Sequence, residues 1–376
     1  MVKIRQIEPT AANLRRFIHF QIDLYRDNPY FVPPLVLDDL KTLTPAKNPA
    51  FDFCEEALFV AEDGNGKMVG RIVGIINRQV NERKQAREVR FGWIDFVDDR
   101  EVSAALLKAV EDWGRSQGMD KIVGPLGFTD LDHEGMLTFG YDELSTMATI
   151  YNYPYYPEHM KALGYGQEVE WLEYVMDVPD AIPDKFNRIA DIVKKKFGLR
   201  VVKYTSKKKI KEKYGHALFR LINEAYDSLY GYSPLTERQI DHYVEQYIGL
   251  LNLDLVTLVV NADEELVAVG ISMQSMSRAL QKSRGRLLPF GWIPLLKGLK
   301  GKNDRVDLLL VAVKPEYQSK GANAILFQDL IPQYIKCGFK YAESNPEMAE
   351  NNKVQSQWEY FGRRQHRRRV AFSKKI

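Results

Sequence analysis

The sequence predicts an α+β protein of two tandem halves, each a mixed, mostly antiparallel sheet flanked by helices. Three observations lead there. The chain has 376 residues, too many for one ordinary domain and enough for two of roughly 150–200. One order of elements (helices, antiparallel hairpin, strand, helix, strand) occurs twice along it. Short apolar runs of strand length alternate with longer runs of helical period in both halves. With 45% hydrophobic and 27% charged residues, the composition suits a packed globular chain and excludes a disordered or low-complexity one.

In the first half, residues 14–25 carry apolar side chains at helical spacing. Residues 57–61 (ALFVA) predict a strand, 63–66 (DGNG) a hairpin turn, because glycine and asparagine tolerate positive φ, and 68–77 the return strand. Residues 91–97 predict a third strand. Residues 101–117 predict a helix, with Val102, Leu106, Ala109, Val110 and Trp113 on one stripe and Gly118 as its stop, followed by a short strand at 121–124. The second half predicts helices at 217–229 and 237–251, a strand at 253–261, a turn at 262–265 and a return strand at 266–274. A strand at 306–313 follows, then a helix at 322–336 with Ile325, Leu326, Leu330, Ile331 and Ile335 apolar, the stop Gly338, and a strand over 339–343. Between the halves, residues 177–184 (DVPDAIPD) interrupt both periodicities, so the domains are read as 1–178 and 184–376.

The longest apolar runs, 255–260 and 308–313, are strand-sized, far short of the ~20 residues a membrane span needs. The N-terminal MVKIRQIEPT lacks the apolar core of a secretion signal. Two cysteines, Cys54 and Cys337, allow one disulfide at most and no cysteine-rich metal framework; reduced thiols in a cytoplasmic protein are expected. A net charge of +3 is weak evidence for a polyanionic partner. The basic clusters at 194–196, 207–213 and 363–369, with Lys374 and Lys375, read either as solvated faces or as attraction for an anionic ligand, a phosphorylated cofactor or nucleic acid. Nucleic acid is the less favoured of these.

The chemistry-bearing stretch is Val313-Lys-Pro315-Glu-Tyr317-Gln318-Ser319-Lys320-Gly321-Ala322-Asn323-Ala324, between the strand 306–313 and the helix that follows. It suits phosphate cradling: a glycine admits close backbone approach, the first N–H groups of the helix are unpaired, and Lys320 adds charge. It is neither a P-loop nor a dinucleotide fingerprint, since the required glycines are missing. The stretch resembles the signature of the GNAT superfamily of acyl-coenzyme A-dependent N-acyltransferases: a valine, a proline two on, then (Gln/Arg)-x-x-Gly-x-(Gly/Ala). Val313, Pro315, Gln318 and Gly321 match, and Asn323 adds bulk where the family has glycine or alanine. Asn352, Trp358 and Gly362 match the spacing of a second family element, in which the aromatic is usually a tyrosine that protonates the leaving thiolate. Trp358 has no titratable proton; it reads as core packing, and Tyr360 is the nearby alternative. The resemblance covers the second half and extends to the first by pattern alone. It implies a tandem member whose second domain binds acetyl- or another acyl-coenzyme A through Val311, Val313, Gln318, Ser319, Lys320, Gly321, Ala322, Asn323, Ala324 and Asn352. Asn352 reads equally as a helix cap.

The interval from Val97 to Gly118 is four residues shorter than that from Val313 to Gly338, and Asp98-Asp99-Arg100-Glu101 stands in place of the loop. Those carboxylates suit helix capping and repel a pyrophosphate, so the first domain is expected to hold no cofactor. It is either retained for packing or a wall of the acceptor pocket. Residues 124–142, with Asp130, Asp132, His133 and Glu134, read as a surface loop or a face of the acceptor site, and no metal is expected from adjacent side chains that point in opposite directions. The aromatic run 151–156 (YNYPYY) reads as a packed turn. Residues 278–302, basic, amphipathic and broken by two prolines, could cover the active site, seat on the first domain or touch a membrane surface; burial between the domains is the favoured reading.

Amine acylation needs a neutral nucleophile and a proton acceptor. Glu343 is the candidate base and Tyr360 the candidate acid; Glu347 and Glu350 follow as base, cap or solvated carboxylate. The expected activity is an acyl-coenzyme A-dependent N-acyltransferase, acetyl in the first instance, acting on a small-molecule or peptide amine held between the halves, with no metal. The alternatives are a non-catalytic protein of the same fold and a transferase using aminoacyl-tRNA, which rests on the basic tail. That tail is read as a final strand, with Arg367 and Arg369 on one face and Arg368 on the other.

Overall fold

The computed structural model describes residues 2–376, the side chains of Asn352 and Lys353 aside. The first half runs β1 (Lys3–Ile7), α1 (Ala11–Leu24), α2 (Val36–Thr42), β2 (Cys54–Glu62), β3 (Met68–Asn77), α3 (Arg78–Lys84), β4 (Glu88–Phe96), α4 (Arg100–Ser116), β5 (Lys121–Gly124), β6 (Met136–Phe139), α5 (Tyr155–Ala162) and β7 (Gly166–Asp177). The second runs α6 (Asp184–Phe197), β8 (Arg200–Val202), α7 (Lys207–Tyr226), α8 (Glu237–Tyr247), β9 (Val256–Val260), β10 (Leu266–Gln274), α9 (Ser277–Ser283) and α10 (Trp292–Lys300). It ends with β11 (Arg305–Val313), α11 (Ala322–Cys337), β12 (Tyr341–Ser344), β13 (Glu347–Met348), α12 (Asn352–Gln355) and β14 (Arg363–Lys375). The α+β class read from the sequence is the class observed.

Two compact units emerge, and the chain enters each more than once. Unit 1 takes the chain up to Leu172, then Met276–Leu299 and His366–Ile376; unit 2 takes Glu173–Ser275 and Lys300–Gln365. A single cut at 178–184 therefore does not describe the division. The stretch 278–302 and the C-terminal strand were assigned to the second domain by their place in the sequence; most of the first and the end of the second pack with unit 1.

In unit 1 the strand order is β1-β2-β3-β4-β5, followed by the C-terminal part of β14, which also pairs β6. All pairs are antiparallel except β4 with β5, joined over Glu88↔Lys121 to Arg90↔Val123. Thr10 caps α1, whose buried stripe is Leu14, Phe17, Ile18, Gln21 and Ile22. Asp99 caps α4, which lays Val102, Leu106 and Val110 onto Phe91, Phe96 and Ile122 of the sheet. In unit 2 the order is β8-β9-β10-β11-β12 and then the end of β7, again antiparallel except for β11 with β12 over Arg305↔Tyr341 to Leu308↔Ser344. Its core forms where α6 and α11 cover the sheet through Ala190, Val193, Ile325 and Leu326. The helix α7 begins at Lys207, ten residues before the apolar periodicity, because Ser206 caps it and the lysine run is its solvated first turns.

Each unit has a bulge in the first strand of its parallel pair. Between Arg71↔Asp95 and Val73↔Gly92, β4 carries one residue more than β3, and Trp93 there has φ 45°. Between Ser272↔Leu308 and Ile271↔Leu310, Leu309 is the extra residue of β11. A bulge bends its strand away from its partner. In both units the parallel pairing stops before the bulge, at Arg90 and at Leu308, so β4 and β5, and β11 and β12, part into a wedge.

Candidate active site

The wedge of unit 2 opens past Leu308 and Ser344. Beyond that point the outer side of β11 loses its strand partner: Leu309 and Leu310 are half-buried, and Val311 is exposed. Asn345 Nδ2 donates to the Leu309 carbonyl at 2.7 Å across the mouth. The Val311 carbonyl accepts from the Tyr226 hydroxyl at 2.9 Å.

At the end of β11 the loop 314–321 turns sharply into α11. Gln318 Nε2 donates to the Val313 carbonyl at 2.9 Å and closes the loop on itself. Ser319 (φ 59°) and Gly321 (φ 87°) are left-handed, which aims successive N–H groups of the turn and of the helix start to one side. A Cβ on Gly321 would lie 2.9 Å from Ile189 Cγ2 of α6, so a side chain there meets a helix rather than filling the cradle. Ala322 and Ala324 are buried and seat the first turn of α11. Lys320 stands free of ion pairs in the described contacts, with Nζ 5.5 Å from the Phe197 ring centre. Gly321 offers no side-chain cap, so the first N–H groups of α11 are open to an anion.

Asn323 reaches the Gln357 Oε1 with its Nδ2 at 2.9 Å and ties the first turn of α11 to the short 3-10 segment Ser356–Tyr360. Next to Gln357, buried Trp358 donates Nε1 to both carboxylate oxygens of Glu347, at 2.8 and 3.1 Å. Burial pushes the Glu347 carboxyl up to about 7, against the hydrogen bonds of Trp358 and Ser344 and the charge of Arg363, which favour ionisation. Ser344 also accepts from the Tyr174 N–H, at 3.0 Å, through its hydroxyl. Thus the loop, Asn323, Trp358, Glu347 and Ser344 form one connected corner of unit 2.

Neither residue singled out for proton transfer joins that network, although Tyr360 ends the segment Ser356–Tyr360 that borders it. Glu343, in the parallel pair opposite Asp307, is buried and ion-paired with Arg305. Tyr360 is half-exposed and has its hydroxyl on the Lys185 ammonium, with the ring stacked edgewise on Phe186. Asn352 starts α12, and its side chain lies outside the described residues; the neighbouring Asn351 accepts from the Val354 N–H at 3.3 Å. Glu347 carries no local mark in the sequence, because its environment is made by a tryptophan eleven positions on.

Unit 1 has the same wedge without the loop. Asp99 Oδ1 accepts from the Glu101 N–H at 2.8 Å and Asp98 Oδ1 lies 3.0 Å from His159 Nε2, so the α4 start is filled by its own carboxylates. Behind the Trp93 bulge is a chamber of about 40 Å³ lined by Asp39, Arg71, Asp95, His133 and Tyr151 among others. That volume holds roughly two or three waters. Arg71 and Asp95 are a buried pair at 2.7 Å, and burial pushes Asp39 up to about 6. The loop 124–142 is mostly withdrawn from solvent, with Asp130–Glu134 half-buried and Phe139 exposed: burial drives Asp132 to about 6 and Glu134 well above its usual range, and lowers His133. The run 151–156 is a packed turn, with Tyr156 stacked on Phe96 at 4.2 Å. Among the described residues no cluster of His, Cys, Asp or Glu is placed to hold a metal, and no helix is long and apolar enough to cross a membrane.

No family model matches the chain. It is 30% identical to Protein YghO of Escherichia coli over 308 residues, 81% of this chain and 77% of that protein. It is 28% identical to a bacterial ceramide synthase of Caulobacter vibrioides over 319 residues, 84% and 82% of the two chains. In three dimensions it aligns over its whole length with 98% of a tandem GNAT protein from the clavulanic acid biosynthesis pathway, at TM-score 0.57 and 12% identity. It likewise aligns with 95% of a GCN5-related N-acetyltransferase from Sphaerobacter thermophilus, at TM-score 0.53 and 13% identity. At these identities the structural likeness is one of fold.

Proposed function

We propose that this chain, which belongs to the tandem GNAT superfamily, transfers an acyl group from acyl-coenzyme A to an amine at the wedge of unit 2. The observation that carries the reading is the loop 314–321, with its two left-handed residues opening an uncapped helix start beside the free edge of β11. The residues fit the co-substrate: the N–H groups of the α11 start and Lys320 would hold the pyrophosphate, and the exposed β11 edge around Leu309–Val311 would take the amide-bearing arm. Unit 1 lacks that fit, since carboxylates occupy the same helix end.

The co-substrate supplies a thioester, whose carbonyl carbon forms the new C–N bond as the C–S bond breaks. The chain's own task is to position the amine and take its proton. Glu347 suits that task better than Glu343. It is half-buried, poised at about 7 and bonded to neutral donors, whereas Glu343 is matched to the fixed charge of Arg305. A base near the working pH combines ionisation with proton affinity. Trp358, in the place of the family's tyrosine, orients that carboxylate and protonates nothing. Tyr360, beside the Lys185 ammonium, is the candidate for returning a proton to the thiolate. Much of the rate can come from placing the reactants side by side.

The likeness to a ceramide synthase favours a long-chain amine and a long acyl group over a peptide. The tRNA-dependent alternative is weakened, because Arg367 and Arg369 of the basic tail are buried, which leaves Arg363, Arg364 and Arg368 exposed. The test is thermal denaturation with acetyl- and palmitoyl-coenzyme A. A ligand at about 100 times its Kd raises stability by about 2.7 kcal/mol. A thiol-release assay with short and long amines follows. Binding without thiol release for any amine favours the non-catalytic reading; no binding at all refutes the site.

A further inference from the structure

From the exposed side chains of residues 287–299 we infer that unit 1 carries a docking surface for an anionic lipid membrane. Leu287, Leu288, Phe290, Trp292, Ile293, Leu296 and Leu299 are all exposed, Leu288 to 77% and Phe290 to 71%. They account for seven of the fifteen exposed large apolar residues found among the described ones, within thirteen positions of the chain. On α10, at 100° per residue, Trp292, Leu296 and Leu299 fall on one stripe with Ile293 at its edge, while Leu295 alone turns inward. Scattered surface leucines need no explanation; a contiguous apolar strip does.

The strip is held out by a fixed inner side. Gly298 packs against α9, where a Cβ would come 2.6 Å from the Ala279 Cβ. Ser277 donates through Oγ to the Ser145 carbonyl at 2.8 Å, Gln281 Nε2 donates to the carbonyls of Pro29 and Phe31 at 2.8 and 2.9 Å, and the Gly285 carbonyl accepts from Val36 N–H at 2.9 Å. These contacts orient the segment, so the outward apolar face is a consequence of how it is anchored.

Charge selects the occupant. From Ser275 to Asn303 there are seven basic residues (Arg278, Lys282, Arg284, Arg286, Lys297, Lys300 and Lys302) and no acidic one. Lys297 and Lys300 stand one turn on from Ile293 and Leu296, so the cations flank the Ile293 edge of the apolar stripe. Leucine, phenylalanine and tryptophan flanked by lysine and arginine are the composition of an interfacial segment that sinks its apolar side chains below the headgroups and sets its cations among them. A second copy of the chain would bring the same positive charge to the contact and repel it. The anchoring residues Gln281 and Gly285 lie against Phe31 and Pro34, which line the chamber of unit 1.

The test is co-sedimentation of the full chain with vesicles of phosphatidylcholine alone or mixed with phosphatidylglycerol, with coenzyme A binding followed separately. The wild type is expected to partition onto the mixed vesicles and to be released by salt. Leu288→Asp/Phe290→Asp should weaken partitioning by at least about tenfold. Lys297→Glu/Lys300→Glu should lose roughly tenfold and the preference for phosphatidylglycerol. Both pairs are exposed, so their melting temperatures and coenzyme A affinities should equal the wild type's. Absence of wild-type binding to mixed vesicles overturns the inference, as does equal binding by Leu288→Asp/Phe290→Asp. So does light scattering that shows a wild-type dimer turned monomeric by that variant. None of these results bears on coenzyme A binding, so the docking surface and the transfer reaction fail separately.

Discussion

Replacing Glu347 with glutamine tests the corner of unit 2 through its pH dependence. The folded-state carboxyl is raised from 4.5 to about 7, chiefly by burial. Below pH 4.5 both folded and unfolded chains hold the proton and the group costs nothing. As pH rises to about 7 the unfolded chain releases it first, so the stability present at low pH is lost through that window. At about 1.4 kcal/mol per pKa unit the loss is about 3 kcal/mol, and partial exposure brings it to about 2. The amide of Glu347→Gln stays neutral and its oxygen still accepts from Trp358 Nε1. Urea unfolding at pH 5 and pH 8 should show the variant gaining about 2 kcal/mol on the wild type between those values. In the same variant acyl transfer should fall by about 10²-fold or more, the contribution of a positioned base, with coenzyme A affinity unchanged. A stability difference that stays flat from pH 5 to pH 8 refutes the buried-carboxyl reasoning. A flat activity refutes the role as base.

Gly321→Ala places a Cβ 2.9 Å from Ile189 on a backbone with φ 87°, and should cost about 1–2 kcal/mol in thermal unfolding while weakening coenzyme A binding. Isothermal titration of the intact chain should count one coenzyme A per chain; two would show that the carboxylates at the α4 start do not exclude it. Arg369 donates to the carbonyls of Gly135 and Ile150 from a fully buried position, and Arg369→Ala should destabilise by about 2–4 kcal/mol. Arg368, paired with Glu170 at the surface, should change stability by about 0.5 kcal/mol or less when replaced by alanine; equal effects of the two would contradict the strand alternation. Arg71→Ala leaves the buried Asp95 without its ion-pair partner and should cost about 3–5 kcal/mol in chemical denaturation.

Local pattern was enough for the hairpin of each half and for the helix that follows the third strand, and it left β1, β6, β7 and β8 unread. The return strands 68–77 and 266–274 match β3 and β10 to the residue, because a hairpin turn bounds each run and alternation or continuous burial marks its faces. The loop 314–321 was legible for a similar reason: its glycine, its proline and the start of α11 are set within one short stretch. Alternation in the last strand also separated Arg367 and Arg369 from Arg368 correctly, since side-chain direction in a strand depends only on position parity.

The α+β class, the repeated order of elements and the loop that distinguishes one half from the other follow from local pattern in the chain. Which unit each segment joins was decided only in three dimensions. Residues 276–299 lie among second-half strands in the sequence, yet Ser277, Gln281 and Gly285 find their partners at Ser145, Phe31 and Val36. The surroundings of the two candidate carboxylates were decided there too. Glu343 and Glu347 are alike in sequence, and one meets Arg305 while the other meets Trp358. Periodicity records which face of an element is apolar, whereas desolvation and ion pairing depend on whatever distant groups the fold brings against that face, and these set the charge state of a carboxyl.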